Sequence, residues 1–135
     1  MKTVWILSHC EVYLKPGDWA VDEMASFVAS TKAAALRLIG ATRVDPGTWW
    51  RLEEFRVDDF QMRGCAAELY SREGRPLKSP PAKAGYRAAI VRYRKDVGRI
   101  RSQMTKFRSE GRPKRDIAIL EKALRSTESC LKGHA

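Results

Sequence analysis

The sequence predicts an α+β protein: a small antiparallel sheet with one helix, in the order β-β-α-β-β, followed by a basic antiparallel α-helical hairpin. Three observations lead there. Up to residue 78, short β-branched and aromatic stretches surround one alanine- and leucine-rich stretch, the pattern of strands packed with a single helix. From residue 86 onward, apolar residues recur at helical spacing. Between the two, "GRPLKSPPAKAG" (74–85) holds three prolines and two glycines, and proline bars a continuous helix or central strand. The chain therefore divides into an α+β module (1–78), a proline-rich linker (79–85) and a helical hairpin (86–135).

"TVWILSHCEVYL" (3–14) is rich in β-branched and aromatic residues and reads as a buried strand, and "KPGD" turns the chain. "EMASFVA" (23–29) is a second, short strand. Ser30 or Thr31 caps the helix "KAAALRLIGA", with Gly40 near its end. "DPG" (45–47) leads into the strand "TWWRLEEFRVDDF", where alternation shifts at Glu53 and Glu54 and predicts a bulge. On that strand Trp49 and Trp50 point to opposite faces, one indole into the core and one outside. "AAELYSREGRPL" reads as a hairpin turning at "REG".

"VWILSHCEVY", "FVASTKAAALRLI" and "WWRLEEFRVDD" together resemble a family of small bacterial proteins of unknown function whose first strand opens Val-Trp-x-Leu-Ser-His. The likeness covers about residues 3–60. It implies a β-β-α-β order and a bacterial or phage setting, and it brings no activity with it. The "CEVYLKPGDWAVDEM" connection and the basic C-terminal part depart from the family's pattern.

In the C-terminal part, Tyr86, Ile90, Tyr93, Val97, Ile100, Met104 and Phe107 are spaced 4, 3, 4, 3, 4, 3, a heptad seam. Gly111 and Pro113 interrupt it, and Ile117, Leu120, Leu124, Thr127 and Leu131 resume at 3, 4, 3, 4. Two seams joined by a short loop predict an antiparallel hairpin pairing Phe107 with Ile117, Met104 with Leu120, Ile100 with Leu124 and Tyr93 with Leu131. In that register Arg87, Arg94, Arg101 and Arg108 flank the seam every seven residues, Arg101 facing Glu121 and Arg94 facing Glu128. These arginines specify register more than they add stability.

The charge is uneven. Residues 1–78 hold 11 Lys and Arg against 11 Asp and Glu, whereas residues 79–135 hold 15 against 5, so the net +10 lies entirely in the C-terminal part. Arg92, Arg99 and Lys106 form a second seven-residue stripe on the back of the first hairpin helix, with Lys95 nearby, and Arg108, Arg112, Lys114 and Arg115 crowd its tip. Such an excess predicts a polyanion partner and assigns phosphate contacts to those eight residues. Tyr86, Tyr93 and Phe107 lie on the seam, so no stacking platform for bases is expected, and no base-reading motif is present.

Other function classes find little support. His9 and Cys10 are adjacent, so on a strand they point to opposite faces and cannot act as a pair. Cys10, Cys65 and Cys130 are widely spaced, with no CxxC, and read as reduced, buried thiols rather than metal ligands. Asp58 and Asp59 read as the end of a strand. No catalytic residue, cofactor, metal or small-molecule substrate is expected. With 44% hydrophobic residues the chain has material for a core, but no apolar run nears the roughly 20 residues that span a bilayer. "MKTVWILSHC" is too short in its apolar stretch for a signal peptide, which predicts a soluble, cytoplasmic protein. The expected function is thus non-enzymatic nucleic-acid binding by the hairpin within a larger complex. The alternative is a protein-interaction or self-association module that uses the seam, its basic face meeting an acidic partner.

Overall fold

The computed structural model describes residues 3–56 and 67–134. Its elements are β1 (Thr3–Lys15), β2 (Asp18–Ala29), α1 (Lys32–Ala41), β3 (Trp49–Arg56), β4 (Glu68–Ser71), β5 (Pro76–Leu77), α2 (Ala82–Ser109) and α3 (Lys114–Leu131). The strands form one antiparallel sheet in the order β2-β1-β3-β4-β5. The α+β class, the strand–strand–helix–strand order and the closing helical hairpin agree with the sequence reading.

Several boundaries differ, for physical reasons. β2 begins at Asp18, not Glu23, so "WAVD" belongs to the strand and the long connection is itself a hairpin turning at Pro16 and Gly17. Its carboxylates weaken intrinsic strand propensity, but pairing with β1 overrides that preference. β3 pairs with β1 residue for residue, from Thr3↔Arg56 to Cys10↔Trp49, so no bulge occurs at Glu53 and Glu54. Arg51 instead neutralises Glu53 two residues along the same face, at 2.7 Å. Ala82 to Gly85, expected in the linker, are the first turn of α2. Pro81 immediately precedes it, at the one end of a helix where proline costs nothing. Pro76 is on the edge strand β5, where its missing N–H removes no ladder bond. Cys65, Asp58 and Asp59 lie outside the described residues.

The chain forms two compact units: Met1–Val12 with Val21–Gly85, and Tyr13–Ala20 with Tyr86–Ala135. In the first, α1 starts at Thr31, whose hydroxyl oxygen accepts the Ala34 N–H at 3.1 Å. Ala35 and Ile39 of α1 close over Leu7, Trp50, Leu52 and Tyr70, which share one face of the sheet. The opposite face is covered too. Cys10, Val12 and Trp49 are buried there, and a Cβ on Gly85 would stand 2.9 Å from the Val12 side chain and 3.0 Å from the Gly47 carbonyl. Only glycine allows that approach. Because both faces are covered, Trp49 and Trp50 are 2% and 1% exposed, and neither indole is outside as the alternation predicted.

In the second unit, Ile90, Val97 and Met104 of α2 are buried, and Tyr86, Tyr93, Ile100 and Phe107 are half-buried. On α3, Ile117, Leu120, Leu124, Thr127 and Leu131 are half-buried. Both seams therefore face inward as the spacing requires. α2 ends on Gly111 (φ 67), where the Arg112 N–H donates to the Phe107 carbonyl at 3.0 Å and the Gly111 N–H to that of Arg108 at 3.2 Å.

The β1–β2 turn fastens the end of α3. The Gly17 N–H donates to the Lys132 carbonyl at 2.8 Å. His134 sits between two partners: Nε2 is 2.7 Å from the Lys15 carbonyl and Nδ1 is 2.6 Å from the Tyr86 hydroxyl. A carbonyl only accepts, so Nε2 carries the proton, and in the neutral ring Nδ1 accepts from the phenol. The Leu14 N–H donates to the Tyr93 hydroxyl at 3.2 Å. Tyr93 thus turns its polar end directly to the strand that leads into the turn, and Tyr86 reaches that strand through His134.

Candidate nucleic-acid interface

An amphipathic hairpin commits its seam to packing and leaves its flanks and back for charge. On the back of α2, Arg99 is 74% exposed and holds Asp96 at 3.1 Å, while Lys95 and Lys106 are exposed and form no ion pair among the described residues. Successive members of the stripe are seven residues apart, about 10 Å along a helix. Arg92 is half-buried, its guanidinium 5.7 Å from the centre of the Tyr93 ring, which makes it the least available of the predicted contacts.

The tip is more neutralised than its sequence implied. Arg108 meets Glu121 at 3.7 Å, Arg112 meets Glu110 at 3.2 Å and lies 4.4 Å over the Phe107 ring, and Arg115 meets Asp116 at 3.9 Å. Lys114 is exposed without such a partner among the described residues. All these pairs are solvent-exposed, so each is weak and its arginine can exchange a carboxylate for a phosphate at small cost.

The flank corrects the predicted register. Arg101 pairs with Glu128 at 2.9 Å, not with Glu121, and Arg108 takes Glu121. Arg94 does not meet Glu128. Helical side chains lean toward their own N-terminus, so in an antiparallel pair the two partners reach in opposite directions. Residues whose tips meet are therefore offset from residues whose Cα atoms are level, here by one heptad relative to the expected pairs. Counting spacing alone could not supply this; side-chain direction could.

The remaining candidates do not assemble a reactive centre. His9 lies opposite Trp50 with ring centroids 5.1 Å apart, and His9 Nε2 and Trp50 Nε1 are both buried without a hydrogen-bond partner. Cys10 lines a cavity of about 380 Å³ with Val21, Glu23, Trp49 and Arg51. Burial, reinforced by the Glu23 carboxylate, pushes its thiol up to about 12, which keeps it protonated and poorly nucleophilic. Cys130 is half-buried and unpaired. On β4, Glu68 accepts from Tyr70 and holds Lys32 of α1 at 2.8 Å, and these donors keep its carboxyl below the usual range. That cluster ties helix to sheet. Among the described residues no group of His, Cys, Asp or Glu is placed to hold a metal, and no helix is long and apolar enough to cross a membrane. No family model, curated protein or solved structure matches the chain.

Proposed function

We propose that the protein is a non-enzymatic accessory subunit that binds the phosphate backbone of nucleic acid through α2 and α3, without reading sequence, within a larger bacterial or phage complex. The observation that carries this reading is the placement of charge. The net +10 lies within residues 79–135, and Lys95, Lys106 and Lys114 are exposed and form no ion pair among the described residues. A surface of this kind releases condensed counterions when it meets phosphates, which makes binding strong at low salt and indifferent to sequence. The seam aromatics are half-buried, which favours backbone contact over base stacking.

The test is fluorescence anisotropy with labelled duplex and single-stranded DNA and RNA, comparing the full chain with a Lys95→Glu/Arg99→Glu/Lys106→Glu variant. Loss of binding in the variant, with helical circular dichroism unchanged, is expected. Equal binding by both would contradict the assignment. A protein partner is the second reading, favoured by Val91 and Ile119, which are 52% and 67% exposed on the two helices. It predicts that Ile119→Asp abolishes complex formation while the charge-reversed variant keeps it.

A further inference from the structure

The heptad offset of the flanking ion pairs leaves charge unmatched at one place. Arg101 and Arg108 take Glu128 and Glu121. The same offset sets Arg94 against a position beyond Leu131, where α3 has ended. Arg94 therefore forms no ion pair with an α3 carboxylate among the described residues. On α3, Arg125 lies one turn from both Glu121 and Glu128, yet each is already engaged by an α2 arginine. Arg94, Arg125 and Lys132 converge on a groove of about 760 Å³ with Arg101 and Glu128 on its wall and Val97 and Leu131 among its apolar lining. Four cations surround one carboxylate, and that carboxylate is already paired.

We infer that this groove is a discrete phosphodiester-binding site, resting on the nucleic-acid reading above and locating its strongest contact away from the back of α2. The reason is shape. The stripe of Lys95, Arg99 and Lys106 lies along one helix, whose outer surface is convex and fully hydrated. The groove is open to solvent, but it lies between two helices, so an anion there meets cations from two sides at once. Arg94 and Arg125 carry planar guanidinium forks suited to bidentate contact with phosphate oxygens. Arg101, held by Glu128, borders the site and extends it toward the tip, about one heptad, or ~10 Å, from Arg94.

The test is anisotropy on the full chain with a labelled 20-nucleotide duplex and single strand across a salt series. Arg94→Gln/Arg125→Gln is compared with Arg37→Gln/Lys83→Gln, which removes the same net charge at exposed positions outside the groove. Neither groove arginine has a carboxylate partner in the described residues, so folding is expected to survive, as circular dichroism would register. The groove variant should bind about tenfold more weakly or worse at 0.1 M salt, with the salt slope reduced by about 1.4–1.8 for two lost phosphate contacts. The control should follow the unmodified protein closely. Unchanged affinity and slope in the groove variant, with the unmodified protein still binding, would overturn the groove and spare the nucleic-acid reading. Equal losses in both variants would overturn it in favour of diffuse charge, and no binding by the unmodified protein would overturn both.

Discussion

The two units of this chain are held together by different amounts of the same force. The first buries Leu7, Ala35, Leu52, Trp49 and Trp50 at 0–2% exposure, on both faces of a sheet. The second packs one seam of α2 against α3, and no residue of α3 is buried. Conversely, the first is close to charge balance and the second carries the excess. The difference teaches that the chain concentrates its apolar material in the sheet unit and its unbalanced charge in the helical one. A thin seam suffices when a loop motif, a turn clasp and flanking ion pairs fix the geometry.

The largest test of this contrast is truncation of each core. Trp50→Ala should cost about 3–5 kcal/mol by urea denaturation, as removal of a fully buried aromatic side chain does, whereas Leu124→Ala on half-buried α3 should cost about 1–2 kcal/mol. Equal costs would mean that the hairpin seam is a full core and the comparison is wrong. Glycines on α2 sharpen it further. Gly85→Ala drives a Cβ to 2.9 Å from the Val12 side chain and 3.0 Å from a carbonyl oxygen, and overpacking should destabilise by about 1–3 kcal/mol. Gly98→Ala meets nothing within 4 Å and should stabilise by up to about 1 kcal/mol through helix propensity. Thermal midpoints moving the same way would contradict the packing described.

A pH effect should separate the units next. The Cys10 thiol is raised from 9.0 to about 12 in the folded protein, so its contribution to stability is complete below pH 9 and is lost as pH climbs toward 12. In a Cys65→Ser background at pH 8, Cys130 should react with iodoacetamide well before Cys10. Faster modification of Cys10 would place its thiol in a polar setting that the fold does not provide. Smallest is the register itself. A double-mutant cycle on Arg101 and Glu128 should return about 0.2–1 kcal/mol of coupling, and one on Arg101 and Glu121 none.

Much of this was legible in sequence. The seam from Tyr86 to Leu131, the stop at Gly111 and the turn at "REG" follow from local periodicity and backbone chemistry. What escaped depended on distant chain. Both tryptophans are buried because α2 begins early enough for Gly85 to cover Trp49, which no alternation rule within β3 can reveal. His134 lay unassigned because its partners, Lys15 and Tyr86, are remote in sequence. The phosphate candidates on the back of α2 were readable from heptad position alone, because their seven-residue spacing is a local property of one helix. The groove at Arg94 was not, because spacing paired that arginine with Glu128, and only the lean of helical side chains moves the pairing by a heptad.

The measurement that bears most directly on the central claim is the salt dependence of duplex binding by the full chain. The logarithm of affinity should fall linearly with the logarithm of salt concentration, with a slope of about −4.5 or steeper, as contact with five or more phosphates requires. A slope near zero, or no binding at 50 mM salt, would contradict a phosphate-tracking hairpin and leave the exposed apolar residues of α2 and α3 to a protein partner.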